Sequence, residues 1–425
     1  MRRLCERLDS EIFSFCRGMR MLTRGFWARL FEEKRRSLYE MDGVGKFRGF
    51  RRTMPGVLDS DVARSPVAGP GMGWWRASGA ILLSVPLALT CGCNASANAK
   101  PVGVAVAIRA PLGLPPVPIP AHNPPTASSI ALGRKLFYDT KLSKDNSLSC
   151  ASCHHPQSGF TDARERSTGV GGTTGLRHAP TLVNVAYSPL YFWDGRAKSL
   201  EAQVDSPIAD ALEMNQTHSA SVAKLRADPL YKSLFRSAFG TDDINMSRVE
   251  NALASFERTI LSGNSAFDKY QYEGRKEALS PAQIRGLAVF KDSQKGNCAA
   301  CHTIGPHYAL FTDGEFHNTG EGVGDNEDFS DLGRFQITNL DAERGAFKTP
   351  TLRNVAMTGP YMHDGKLKTL KAVVDFYAGR GNSNTYLDKR ISTIALSGRE
   401  RSDLVEFLKS LTGEIPSNVG PPGRD

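Results

Sequence analysis

The sequence lacks any sustained alternation of apolar and polar residues, the pattern that half-buried β-strands produce. It also lacks an apolar run of the roughly 20 residues that a membrane-spanning helix needs. The apolar stretch at residues 77–90 is too short to cross a bilayer unaided. These absences argue against a domain built on β-sheet and against a membrane-spanning anchor.

The folded part of the chain has almost no net charge. The formal charge of the whole sequence is +9, but residues 1–76 hold 16 Lys and Arg against 9 Asp and Glu. Residues 100–425 hold 37 against 35. Because the basic excess lies near the amino terminus, we infer no nucleic-acid partner from it.

The basic amino-terminal region is expected to be absent from the working protein. Residues 72–99 have the layout of a secretory signal, with one basic residue, a short apolar stretch and a final Ala-x-Ala cleavage pattern. Because such a signal belongs at the start of a chain, we expect translation to begin near Met72 and residues 1–71 to be a non-native extension. The product would be periplasmic, and Cys91 and Cys93 leave open a lipid-anchored form.

The rest of the sequence predicts a mainly α-helical protein with long loops. Residues 100–125 are rich in proline, which removes backbone donors, so they are expected to form an extended strap. Helical periodicity begins at residue 130, and further helices are predicted at 217–226, 229–239 and 247–262. Capping-box patterns predict two more helix starts, at Ser280 and Ser397. Glycine-rich loops at 167–175 and 320–333 are longer than a compact core favours.

The two halves of the chain repeat one another. Residues 179–204 align without a gap on residues 349–374, an offset of 170 positions. Each half also has a Cys-x-x-Cys-His motif and a glycine-rich loop before this block. Within the repeat, Trp193 occupies the position of His363. The chain therefore contains two versions of one module.

Cysteine is scarce outside the leader, and what remains is paired. Both pairs have the form Cys-x-x-Cys-His, the attachment motif of c-type haem, in which the thiols bind the haem and the histidine binds its iron. A zinc site, a redox-active cysteine pair and disulfides are the alternatives. Two copies in an exported chain favour haem c at both sites, held by Cys150, Cys153, His154, Cys298, Cys301 and His302.

The two modules differ on the expected distal side of the iron. Tyr377 lies fourteen residues after His363, and the matching position of the first module is Pro207, which cannot bind a metal. An iron with two protein ligands transfers electrons, whereas an iron with an open face can react with peroxide or oxygen. The sequence thus predicts one closed site and one open site.

These motifs resemble the bacterial di-haem cytochrome c peroxidase and MauG family across residues 118–412. The resemblance is carried by LGRKLFYDTKLS, SCASCHHPQSGFTD, APTLVNV, YFWDGRAKSLEAQ, ALEMN, NCAACH and FKTPTLRNVAMTGPYMHDG. It implies two tandem cytochrome c-like haem domains, which we expect at residues 126–265 and 266–412, followed by a tail at 413–425. Peroxide would react at the first haem, and the second would hold or relay electrons.

The resemblance also implies roles for individual residues. Trp193 would lie between the haems, and Glu213 would move protons beside Gln203 and Pro207 in the peroxide pocket. Classical-type peroxidases have methionine at the second distal position. This chain has Tyr377 there, as MauG-like members have tyrosine. An interdomain Ca²⁺ is implied at Asn184 and at the backbone oxygens of Thr358 and Pro360, a donor set that suits a hard cation.

We therefore expect a periplasmic di-haem peroxidase that reduces hydrogen peroxide to water. Its electrons would come from cytochrome c, a cupredoxin or a similar donor. One alternative is a MauG-like enzyme that oxidises aromatic residues of a partner protein, and another is a non-enzymatic electron carrier with two closed irons. A homodimer is left open.

Overall fold

The computed structural model describes residues 100–391 and 394–423. The expected extension at 1–71, the expected signal at 72–99 and the two cysteines within that signal lie outside the described residues. Within these ranges no helix combines the length and apolar character required to cross a membrane.

The described chain is mainly helical, as predicted. The helices are α1 (Ala127–Tyr138), α2 (Leu200–Ala209), α3 (His218–Ala227), α4 (Pro229–Phe239), α5 (Met246–Glu257), α6 (Ala266–Tyr272), α7 (Pro281–Lys291), α8 (Phe335–Thr338), α9 (Leu370–Ala378) and α10 (Gly398–Lys409). Two short strands, β1 (Phe316–Asn318) and β2 (Ala346–Lys348), pair antiparallel with Phe316 opposite Lys348.

Most of the predicted helices are confirmed at their expected positions. The capping boxes at Ser280 and Ser397 both form, with Gln283 and Glu400 as their third residues. The helix predicted at 247–262 is longer than the observed one, because α5 ends at Glu257 and a turn follows. Helices α2, α6, α8 and α9 were not predicted.

The same three-helix arrangement occurs twice. Helix α5 packs on α1 and α2, and α10 packs on α7 and α9. A glycine allows the close approach in each case. A Cβ on Gly133 of α1 would lie 1.9 Å from the Ala252 carbonyl oxygen, and one on Gly286 of α7 would lie 2.0 Å from that of Asp403. The repeat in the sequence therefore corresponds to a repeat in the packing.

The described residues form two large hydrophobic cores and one small cluster of Tyr191, Ala197, Leu200 and Ala254. The first contains buried residues from Leu132 to Ile260 and the second contains buried residues from Phe267 to Leu411. The carboxy-terminal tail returns to the first core, where Val419 is buried and its carbonyl accepts a 2.8 Å hydrogen bond from the Tyr138 hydroxyl.

The proline-rich strap contacts both cores. The Val102 amide donates to the Ala238 carbonyl beside the first core. At the second core, Arg353 forms a buried bidentate ion pair with Asp268, both N–O distances being 2.9 Å, and donates 2.6 Å to the Gly113 carbonyl of the strap. Such charge-assisted bonds satisfy a buried guanidinium, so the strap is fixed to the core without helix or strand.

Candidate functional site

A cavity of about 690 Å³ lies beside the first Cys-x-x-Cys-His motif. It brings together every residue that the sequence assigned to the peroxide-reacting site. Its lining includes Cys150, Cys153, His154, Trp193, Gln203, Pro207 and Glu213. Three of these residues, Gln203, Pro207 and Glu213, come from α2 and the turn after it.

A second cavity, of about 270 Å³, lies beside the other motif. It collects the residues assigned to the relay site and those assigned to calcium, namely Cys298, Cys301, His302, Tyr377, Asn184, Thr358 and Pro360. Four residues that matter below line both cavities: His178, Trp193, Lys348 and His363. We refer to these four as the shared wall.

Each of the two motif histidines has one ring nitrogen beside a backbone carbonyl oxygen. The Nδ1 atom of His154 lies 3.0 Å from the Phe160 carbonyl oxygen, and that of His302 lies 2.8 Å from the Phe311 carbonyl oxygen. A metal-binding histidine usually donates one ring N–H to such a carbonyl, which leaves the other nitrogen for the metal. Burial lowers the pKa of both imidazoles, which favours the neutral form that binds metal.

The cysteines fit haem attachment better than the alternatives. All four are free thiols, so the described residues contain no disulfide at either motif. Cys301 does lie within 4.8 Å of donor atoms of Asp313 and His317, a set that could hold a metal. However, the His317 ring nitrogens already lie 2.9 Å from Asp313 and 2.9 Å from Asp388. Within the described ranges the first motif has no matching group, so zinc does not explain both motifs.

Glu213 lies on a hydrogen-bonded turn beside the first cavity. It follows α2 in a turn closed by hydrogen bonds from its own amide to Asp210 and from the Val170 amide to its carbonyl. Its half-buried carboxyl lines the first cavity, and burial, with a smaller effect of Asp210, raises its pKa to about 7. A carboxyl with a pKa near the working pH exchanges protons in both directions.

Pro207 and Tyr377 line different cavities. Pro207 lies inside α2 and lines the first cavity, whereas Tyr377 of α9 lines the second. Burial, followed by the thiols of Cys301 and Cys298, raises the pKa of the Tyr377 phenol. The phenol is therefore neutral without a cation beside it, and a bound metal ion would reverse this preference.

Trp193 is fixed on the shared wall by one hydrogen bond within its own module and one from the other module. Its Nε1 donates 2.8 Å to the His178 carbonyl, and its own carbonyl accepts 2.8 Å from the Lys348 amide. His178 is buried with Nε2 3.0 Å from Thr161 and Nδ1 3.0 Å from the Arg164 carbonyl. It is therefore a hydrogen-bonded loop residue in this structure.

The turns shared by the two modules are structural. The Asp194 carboxylate accepts 3.2 Å from the Arg196 amide, and the Asp364 carboxylate accepts 3.1 Å from the Lys366 amide. The glycine that follows each aspartate has a φ near +70°. This conformation suits glycine, which explains the repeated Asp-Gly without a catalytic role.

Sequence reasoning missed two residues of these cavities. Glu257, at the end of α5, is buried in the first cavity, and its pKa is raised to about 8 by burial. Lys348, at the end of β2, lies on the shared wall. Glu257 lies outside the quoted motifs, and Lys348 lies within FKTPTLRNVAMTGPYMHDG without any pattern that marks it as a cavity residue. Only the folded chain reveals that both line these cavities.

A family model described as di-haem cytochrome c peroxidase matches residues 127–277. The chain is 42% identical over 301 residues to the methylamine utilization protein MauG of Methylorubrum extorquens, covering 70% of this chain and 82% of that protein. It is 37% identical over 307 residues to the cytochrome c551 peroxidase of Nitrosomonas europaea, covering 70% and 84%.

A solved structure agrees with these sequence relationships. The crystal structure of a MauG-like protein associated with microbial copper homeostasis is 32% identical and has a TM-score of 0.65, covering 73% of this chain and 96% of that one. The chain belongs to the di-haem cytochrome c peroxidase and MauG family of oxidoreductases, a membership that implies two c-type haems.

Proposed function

We propose that this protein is an exported di-haem peroxidase that reduces hydrogen peroxide to water at the first cavity and receives electrons through the second. The observation that carries the proposal is the position of Glu213. A carboxyl with a pKa near 7 lines the same cavity as His154 and the non-ligating Pro207. Relatives that are named cytochrome c551 peroxidase support the same activity.

The residues present fit two c-type haems. Cys150 and Cys153 would hold the first and Cys298 and Cys301 the second, with His154 and His302 as proximal ligands. Tyr377 would close the second site. When bound, the haems would supply the redox chemistry, because an iron with an open position reacts with peroxide and one with two protein ligands transfers electrons.

The protein groups would then control protons and position. Glu213 in its ionised form accepts a proton from one peroxide oxygen and returns it to the other, which allows water to leave. Gln203 and Pro207 form the wall of this pocket and leave room for a small substrate. Trp193, fixed between the two cavities, provides a rigid aromatic path between the sites.

Each hydrophobic core would enclose one haem, giving two tandem cytochrome c-like domains at 126–265 and 266–412. A calcium ion would be held by Asn184 and the carbonyls of Thr358 and Pro360, three residues that line the second cavity. Within the described ranges neither carbonyl accepts a hydrogen bond, and Asn184 Oδ1 accepts one from the Ser262 amide. Three oxygen atoms therefore have capacity for a hard cation.

A second candidate is oxidation of aromatic residues in a partner protein. Tyr377 favours it, because an anionic phenolate stabilises oxidised iron and would oppose reduction by a soluble donor such as cytochrome c or a cupredoxin. The 42% identity to a MauG protein points the same way. The two candidates share the peroxide reaction and differ in the source of electrons.

The experiment is peroxide titration of the purified holoprotein, with haem counted by mass spectrometry. We expect two covalent haems, one of them high-spin in the ferric state, and consumption of one equivalent of peroxide. Addition of cytochrome c then separates the candidates, since only a peroxidase oxidises it at a useful rate. Two low-spin haems without any reaction would indicate the non-enzymatic carrier instead.

A further inference from the structure

Lys348 is a cation without a counter-charge on the shared wall. It lines both cavities and is half-buried. No carboxylate or carbonyl within residues 100–391 and 394–423 is in hydrogen-bond or ion-pair contact with its amine. Burial lowers the pKa of Lys348 to about 8, so the amine remains mostly protonated at pH 7. An unpaired charge in such a place is unfavourable, which indicates that something else supplies the anion.

Neighbouring charged side chains already form ion pairs. Arg177 pairs with Asp194 and Asp331, both at 2.6 Å, and Lys366 pairs with Asp364 at 3.1 Å. Three of the carboxylates that line the first cavity, those of Asp194, Asp331 and Asp364, are therefore paired with other cations. Lys348 differs from these basic residues in facing the cavities with no partner.

The repeat shows that this position is specialised in the second module. His178 occupies the equivalent place, 170 residues earlier. Both residues donate their backbone amide to the other module, His178 to the His363 carbonyl and Lys348 to the Trp193 carbonyl, each at 2.8 Å. The His178 ring is satisfied by Thr161 and Arg164, whereas the Lys348 amine is left over.

We propose that Lys348 binds a propionate carboxylate of a haem at the shared wall and favours the reduced state of that haem. The chemistry is suitable, because each haem carries two carboxylates and a lysine is a compact cation. A positive charge near the iron makes the addition of an electron easier. Lys348 is thus a positioning residue that adjusts electron distribution between the two sites.

This inference rests on the haem placement of the proposed function but not on peroxide turnover. Its test is spectroelectrochemical titration of both haems in wild type, Lys348→Gln and Lys348→Arg. For Lys348→Gln we expect the ferric-to-ferrous equilibrium of at least one haem to move tenfold or more toward ferric, equivalent to about 59 mV for one electron. Lys348→Arg keeps the charge and should stay within about threefold of wild type.

Controls separate charge from damage. Lys366→Gln removes an exposed cation that is paired with Asp364, and it should leave both equilibria unchanged. Haem counting verifies that each variant holds two haems, and Lys348→Met replaces Lys348→Gln if the latter loses one. An unchanged equilibrium in the neutral variants would overturn the proposal. An equal shift in Lys348→Arg would also overturn it. The same holds if every Lys348 variant loses the spectral features of a nitrogen ligand to iron, because Lys348 would then be an iron ligand.

Discussion

The carbonyl oxygen of Trp193 accepts a 2.8 Å hydrogen bond from the backbone amide of Lys348. The two residues come from different copies of the repeat, and the His178 amide forms the equivalent bond to the His363 carbonyl. These reciprocal bonds join the modules at the wall that both cavities share. Trp193 is therefore held between the sites by backbone contacts that do not depend on its own side chain.

Replacing the indole should slow electron exchange between the sites. Trp193→Phe keeps an aromatic ring but loses the 2.8 Å bond from Nε1 to the His178 carbonyl. We expect oxidation of the second haem by peroxide to slow at least tenfold in stopped-flow absorbance, with the first haem still reacting. Phe192→Leu, in the first cavity only, is the control. Equal rates in wild type and Trp193→Phe would remove the relay role.

Glu213→Gln should reduce peroxide turnover by roughly 10²-fold or more, because general acid–base catalysis contributes about that much. Its matched control is Glu250→Gln, since burial also raises the pKa of Glu250 to about 7 but that residue lines neither cavity. In wild type, kcat/KM should rise with pH through about 7 as Glu213 ionises, and the variant should lose this step. If Glu250→Gln causes the same loss, the effect is structural.

Tyr377→Met should raise the reduction potential of the second haem. A neutral thioether replaces an anionic phenolate, so the ferrous state becomes more favourable. The control is Tyr361→Phe, because Tyr361 lines the same cavity but its hydroxyl donates 3.0 Å to the Val355 carbonyl. Potentiometric titration of the two variants measures the reduction potential of the second haem. A null shift for Tyr377→Met would mean that Tyr377 does not bind the iron.

Glu257 should make the protein less stable at alkaline pH. Burial raises its pKa in the folded state to about 8 from an ordinary value of 4.5. The folded protein therefore holds a proton that the unfolded chain loses, and stability falls as pH rises between these values. In chemical denaturation, the free energy of unfolding of Glu257→Gln relative to wild type should increase from pH 5 to pH 8.5 by on the order of 1–3 kcal/mol. The exposed control Glu277→Gln should show no such gain.

Calcium removal should lower the melting temperature of the holoprotein. Chelation would leave the carbonyls of Thr358 and Pro360 without a partner. Asn184→Ala should abolish this sensitivity, whereas Asn184→Asp retains an oxygen donor and should keep it. Both variants lose the 2.9 Å bond from Asn184 Nδ2 to the Ser262 carbonyl, so they are matched in that respect. A chelated wild type that melts at an unchanged temperature, with no calcium in elemental analysis, would contradict the site.

The sequence alone determined the elements whose signals are local. Capping boxes at Ser280 and Ser397 fixed two helix starts, because the bonds involved span only three residues. Helix α2 was not predicted, because Pro207 inside it argues against a helix. The packing of α2 on α5 overrides that local preference. The cysteine motifs, the contrast between Pro207 and Tyr377 and the module repeat were likewise readable, because each depends on residue identity and spacing.

Only the tertiary structure decided what lies between the modules. The cross-module bonds of Trp193 and His363, the raised pKa values of Glu213 and Glu257, and the lone amine of Lys348 depend on residues distant in sequence. Desolvation and the absence of a partner are properties of a folded surface and leave no mark on the local pattern. The sequence thus determined which groups each module offers, and the fold determined which of them face one another.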